Sequence, residues 1–139
     1  MTRAPALDHI GIAVESLDSS LTIYRTLGIE LEGIEEIADQ RVRVAFLPVG
    51  DTRIELLEPT DDTSPIARHL ERRGAGLHHI CLRVTDIRAT MALLAGEGYR
   101  VLSEEPLQGA DGCLVCFIHP KSAGGVLIEL SQPVVSHES

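Results

Sequence analysis

A chain of 139 residues that is 44% hydrophobic can bury a core, which excludes a disordered tail and leaves one compact domain or two small modules sharing a core. With 21 acidic against 12 basic residues the net charge is −9, which excludes a broad nucleic-acid-binding face and requires an anionic ligand to be met by local basic residues. No apolar run reaches the roughly 18 residues of a membrane span, and the start MTRAPALDH lacks the parts of a secretory signal, so a cytoplasmic protein with no membrane partner is expected.

In chain order, MTRAPA has no apolar periodicity and is expected to fray. LDHIGIAV alternates as a strand does, with His9, Gly11 and Ala13 on one face and Ile10, Ile12 and Val14 on the other. Leu17, Leu21 and Tyr24 then recur at i, i+4 and i+7, which predicts a helix with Ser16 or Asp18 as its N-cap and Gly28 as its stop. Three strand-like runs follow: IELEGIEEI, VRVAFLPVG and TRIELLEP. SPIARHLERRG, at about 64–73, predicts a short connecting helix whose Arg68, Arg72 and Arg73 are expected to face water, as charge runs usually do.

GLHHICLRV restarts the pattern. Adding 70 carries His9 to His79, Leu17 to Ile87, Leu21 to Met91, Tyr24 to Leu94 and Gly28 to Gly98, with Thr85 or Asp86 as the second N-cap. The runs YRVLSEEP, GCLVCFIHP and GVLIELSQP complete the second copy, in which Glu129 matches Glu55 and Pro133 matches Pro59 after a four-residue insertion. VVSHES is a second end expected to fray. The expected architecture is α+β: two tandem βαβββ modules, about 7–59 and about 76–133, within a single domain over 1–139.

Cys113 and Cys116 have the spacing of half a zinc site, but residues three apart on a strand point to opposite faces, so they cannot easily grip one ion. With Cys81 they form an odd set outside a secretory context and are expected to be reduced thiols. His9, Glu55, His79 and Glu129 are different. Each is a polar residue on an otherwise apolar strand, and each is repeated. If the two modules pair face to face, two imidazoles and two carboxylates converge as a donor set suited to one divalent ion, while two buried carboxylates without a cation would be costly.

The βαβββ repeat with a His and a Glu in each copy resembles the vicinal oxygen chelate superfamily. Within it, LDHIGIAV, VAFLPVGDTRIELLEP, SPIARHLERRGAGLHHI and HPKSAGGVLIEL resemble the methylmalonyl-CoA epimerase family, over roughly residues 7–133. HPKS followed by GGVLIEL is the more specific part, because glyoxalases share the His and Glu pattern. The resemblance implies metal ligands at His9, Glu55, His79 and Glu129, with cobalt ahead of manganese, nickel, magnesium or zinc, an acyl-CoA substrate and a homodimer. The implied reaction interconverts (2R)- and (2S)-methylmalonyl-CoA through a metal-stabilised enolate, with Glu129 as the expected base and Lys121 expected to meet the anionic coenzyme. Some epimerases of the family carry a glutamate where this chain has Val44. The second proton donor is therefore open, with a water held by Gln40 as the candidate.

Three other classes share the fold. A glyoxalase-type isomerase (lactoylglutathione lyase) would use the same four ligands on a glutathione hemithioacetal. A metal-free binding or resistance protein would need an aromatic-rich cleft, and this chain has no Trp and only Tyr24, Phe46, Tyr99 and Phe117. An extradiol dioxygenase would be expected to use two histidines and one carboxylate on iron.

Overall fold

A computed structural model describes residues 5–109 and 112–134, so most of the two ends expected to fray lie outside the described residues. The chain folds as two compact units, one of His9–His78 and the other of His79 onward together with the segment ending at Asp8.

The first unit contains most of β1 (Ala6–Ala13), then α1 (Leu17–Thr26), β2 (Gly33–Ile37), a 3-10 turn at Ala38–Gln40, β3 (Val42–Val49), β4 (Thr52–Pro59) and α2 (Pro65–Arg73). Its strand order is β2-β3-β4-β1, with β1 parallel to β4 and the other pairs antiparallel. The second unit contains most of β5 (Gly76–Arg83), then α3 (Ile87–Gly96), β6 (Leu107–Gln108), β7 (Leu114–Ile118), a 3-10 turn at Pro120–Ser122 and β8 (Leu127–Gln132). Its order is β5-β8-β7-β6, again with the first strand parallel to the last. Each unit is a βαβββ module. Among the described residues no helix is long and apolar enough to cross a membrane.

The helices form where their spacing predicts. Leu17 and Leu21 of α1, with Tyr24 beside them, pack on Ile12, Val14, Ala45, Leu47, Ile54 and Leu56. Ile87, Met91 and Leu94 of α3 cover the matching face of the second sheet, on Leu82, Val84, Cys116, Ile128 and Leu130. Burying each such side chain is worth roughly 1.5–3 kcal/mol, so these two stripes anchor both helices. Ser16 and Asp86 are the N-caps, accepting from Ser19 N and Ala89 N, and Asp18 and Thr85 are not. Both helices end on a glycine at φ +88°, Gly28 and Gly98, a conformation that only glycine adopts freely.

A further pair of bonds ties each helix start to its sheet. Glu58 Oε2 accepts from Leu17 N at 2.9 Å, and Gln132 Oε1 accepts from Ile87 N at 2.8 Å. Both acceptors precede the repeated prolines, Pro59 and Pro133, so the repeat conserves the position while exchanging a carboxylate for an amide. Glu58 also takes Arg43 Nη1 at 3.0 Å, which aims the carboxylate at the helix.

Two expected strands come out differently. IELEGIEEI pairs only from Gly33, because Ile29 and Leu31 turn down into the core beneath α1. YRVLSEEP does not form a strand: Val101 makes a single bridge to Ile118, and the pairing resumes as the two-residue β6. Ser103 Oγ donates to Glu105 O at 2.7 Å, and Pro106 has no N–H for a ladder, so a turn wins over the strand here.

The connecting helix is more than a solvated linker. Its Ile66 is buried and Leu70 packs beside it, against Ala13, Val42, Val44 and Leu57, on the sheet face opposite α1. Arg68, Arg72 and Arg73 are exposed, as expected.

Losing the Glu58 cap should destabilise more than losing the Gln132 cap, since Glu58→Ala also strands Arg43. The expected losses are about 1–2 kcal/mol and about 1 kcal/mol respectively, read from urea midpoints. Wild-type midpoints in both variants would remove these bonds from the account of helix anchoring.

Candidate functional site

The first unit buries a histidine and a carboxylate side by side. Parallel pairing sets Gly11 opposite Glu55 and His9 opposite Arg53, and antiparallel pairing sets Phe46 opposite Glu55. Strand parity places all these side chains on the face away from α1. His9 and Glu55 are only 7% and 8% exposed. His9 Nδ1 lies 3.5 Å from Glu55 Oε2, and Arg53 Nε donates to the same oxygen at 2.7 Å. The Arg53 guanidinium also lies 5.9 Å from the centre of the Phe46 ring. Oε2 is thus taken up by protein partners, while Glu55 Oε1 accepts no hydrogen bond among the described residues.

The second unit repeats the pair in a looser form. Cys81 and Phe117 are the register partners of Glu129, and Leu127 is that of His79. His79 Nε2 lies 3.7 Å from Glu129 Oε1, with side chains 12% and 17% exposed. Phe117 stands to Glu129 as Phe46 stands to Glu55, yet the residue matching Arg53 is Leu127. The first carboxylate therefore has an arginine two residues before it on its strand, and the second has an aliphatic side chain there.

Arg53 escaped the sequence reading because a strand arginine next to apolar residues looks like one more solvated charge. The signal that could have found it is parity: Arg53 and Glu55 lie two apart and share a face. Burial of a carboxylate is tolerated only with partners, and Arg53 supplies a charge-assisted one.

The remaining candidates fall as follows. Lys121, the chain's one lysine, is exposed on the 3-10 turn Pro120–Ser122, where its backbone N–H donates to His119 Nδ1 at 3.0 Å. Val44 is 2% exposed in the apolar cluster under α2, beside Leu57 and Ile66. Gln40 ends the 3-10 turn before β3 with an exposed side chain, and its carbonyl accepts from Ser64 Oγ at 3.2 Å. None of the three cysteines is in a disulfide among the described residues. Cys116 faces α3, and burial first, then the charge of Glu129, pushes its thiol up to about 11, so it is a packing residue.

Each unit thus offers one imidazole and one carboxylate, borderline nitrogen and hard oxygen donors that suit a divalent first-row ion. Arg53 fixes one oxygen of Glu55 by a charge-assisted hydrogen bond. Arg53→Met should cost about 1–2 kcal/mol of stability by leaving Glu55 without its cation, an amount kept modest because the Arg53 side chain is 39% exposed. Adding Glu55→Gln should recover most of that loss in urea denaturation. A double variant no more stable than Arg53→Met would mean that Arg53 acts through something other than Glu55.

The chain has relatives in both sequence and fold. Residues 8–117 match the family model of the Glyoxalase/Bleomycin resistance protein/Dioxygenase superfamily. The ethylmalonyl-CoA/methylmalonyl-CoA epimerase of Cereibacter sphaeroides is 46% identical over 129 residues, covering 91% of this chain and 96% of that protein. The crystal structure of methylmalonyl-CoA epimerase from Mycobacterium tuberculosis is 41% identical, with a TM-score of 0.81 and coverage of 93% and 88% of the two chains. A variant of Streptomyces coelicolor methylmalonyl-CoA epimerase, solved in complex with 2-nitronate-propionyl-CoA, is 36% identical, with a TM-score of 0.83 and coverage of 99% and 100%. The chain belongs to the Glyoxalase/Bleomycin resistance protein/Dioxygenase superfamily and, within it, to the methylmalonyl-CoA epimerase family.

Proposed function

We propose that this protein is a metal-dependent epimerase that interconverts (2R)- and (2S)-methylmalonyl-CoA by moving the α-proton. The observation that carries the reading is the His and Glu pair written once into each βαβββ unit, buried in the first and half-buried in the second. The Cereibacter relative acts on this class of thioester by name, and the Streptomyces relative was solved with an analogue of it, which supports the assignment.

In this reading the two units act as one domain, and His9, Glu55, His79 and Glu129 hold one divalent ion, with cobalt the first to test. When bound, the ion supplies positive charge against the enolate that proton removal leaves. His9 and His79 offer neutral imidazole nitrogens, and Glu55 is kept aimed by Arg53. Glu129 accepts the α-proton as the catalytic base, and the electron pair of the broken C–H bond passes into the thioester carbonyl. Return of a proton to the same face regenerates the substrate, and delivery to the other face completes the epimerisation. With Val44 buried in an apolar cluster, that second proton comes from a water held at the Gln40 amide. Lys121 meets the anionic coenzyme. The same reading includes a homodimer working in the cytoplasm, where the three thiols stay reduced.

Each of His9→Ala and His79→Ala should bind cobalt at least tenfold more weakly than wild type by calorimetry, while the aliphatic cores keep the fold intact. Full metal occupancy in both would sink the shared site. In deuterated solvent the cobalt-loaded wild type should wash deuterium into the α-position of methylmalonyl-CoA. Glu129→Gln, with its metal content checked, should lose exchange from one stereoisomer far more than from the other. Equal loss from both would point to one mobile base rather than a carboxylate and a separate water.

A further inference from the structure

Helix α2 has two unlike faces. Ile66 and Leu70 point to the sheet, while Arg68, His69, Arg72 and Arg73 share the outer side, as residues three and four apart on a helix do. Beyond the helix the chain returns so that the His78 ring meets the His69 ring edge-on, with centroids 4.8 Å apart and planes at 76°. Pro65, Arg68, His69, Arg72, Arg73 and His78 line a hollow of about 290 Å³.

Among the described residues no carboxylate lines this hollow. Glu71, the one acid on α2, lies instead along a separate hollow shared with Glu15 and Asp62. Arg68 and Arg72 enter no ion pair among the described residues. Three of the chain's arginines fall within residues 68–73, in a protein whose net charge is −9. Such a cluster repels itself and draws anions locally against the field of the whole chain. Burial first, then the charge of Arg73, lowers the proton affinity of His69. An anion in the hollow would offset that cationic field and let both rings donate hydrogen bonds.

His78, on the rim of the hollow, directly precedes His79 on β5, and the two side chains point to opposite faces of the strand. The thioester proposed for the candidate site carries a diphosphate and a further phosphate at the far end of its flexible pantetheine arm, and these charges need a basic partner.

We infer that the α2 hollow is a phosphate-binding site, with Arg68 and Arg72 as its primary contacts. Resting on the epimerase reading, it holds the phosphates at the nucleotide end of the acyl-CoA. The contact is to phosphate oxygens, for which arginine forks are suited.

The test is a titration of the full-length protein with inorganic pyrophosphate, followed through the His69 and His78 ring signals and the backbone amides of α2 by NMR. Wild type should show saturable shifts that weaken with added salt. Arg68→Ser/Arg72→Ser, at two exposed positions, should weaken binding at least tenfold. Arg25→Ser/Arg88→Ser, which removes the same charge elsewhere, should bind as wild type does. Absence of saturable shifts in wild type, or equal weakening in both double variants, overturns the site. The second arm compares methylmalonyl-CoA with methylmalonyl-pantetheine, which lacks the nucleotide. A rise in KM of tenfold or more for the coenzyme A ester alone, at unchanged kcat, assigns the hollow to the substrate. An unchanged KM in a variant that has lost pyrophosphate overturns that assignment in favour of a free phosphate compound. If cobalt-loaded wild type epimerises neither thioester, the epimerase reading fails, and the pyrophosphate titration still decides the site.

Discussion

Side chains alternate along a strand, and both units of this protein depend on that alternation in β1, β4, β5 and β8. One set of positions, running through Ile12, Ile54, Leu56, Leu82, Ile128 and Leu130, is covered by a helix and supplies the two cores. The other set is thereby forced onto the opposite face, and it includes His9, Glu55, His79 and Glu129. A slip of one residue in any of these strands would drive an imidazole or a carboxylate into an aliphatic core, so packing and chemistry enforce the same register.

The two copies are not equal. Arg53 grips Glu55 where Leu127 stands near Glu129, while Phe46 and Phe117 are kept opposite both carboxylates. The connecting helix α2 seals one end of the polar face in the first unit with Ile66 and Leu70, which places Val44 in an apolar cluster. A duplicated module starts with identical half-sites. The two carboxylates therefore sit in unlike surroundings, Glu55 held by a charge-assisted bond and Glu129 beside an aliphatic side chain.

Charge is divided as unevenly as packing. The chain is acidic overall, yet the outer side of α2 and His78 of β5 gather three guanidiniums and two imidazoles around one hollow that no acid lines among the described residues. The same helix therefore has an apolar face that completes a core and a basic face turned outward. Either face alone would have been read as ordinary.

The amino-acid sequence by itself determined the βαβββ order, the helix stripes, the glycine stops and the four repeated polar residues, because periodicity and parity are local properties of the chain. Its strand forecast failed at YRVLSEEP, where Ser103 and Pro106 favour a turn that a hydropathy pattern does not reveal. Partners far apart in the chain were equally invisible: Glu58 on Leu17 N, Gln132 on Ile87 N and Ile66 against Val44 each join segments that meet only when the sheet forms. Arg53 and the α2 hollow belong to the same class. A charged residue reads alike whether it points to water, to a buried carboxylate or to a ring of other cations. Only tertiary structure sets the distance and burial on which the strength of an electrostatic contact depends.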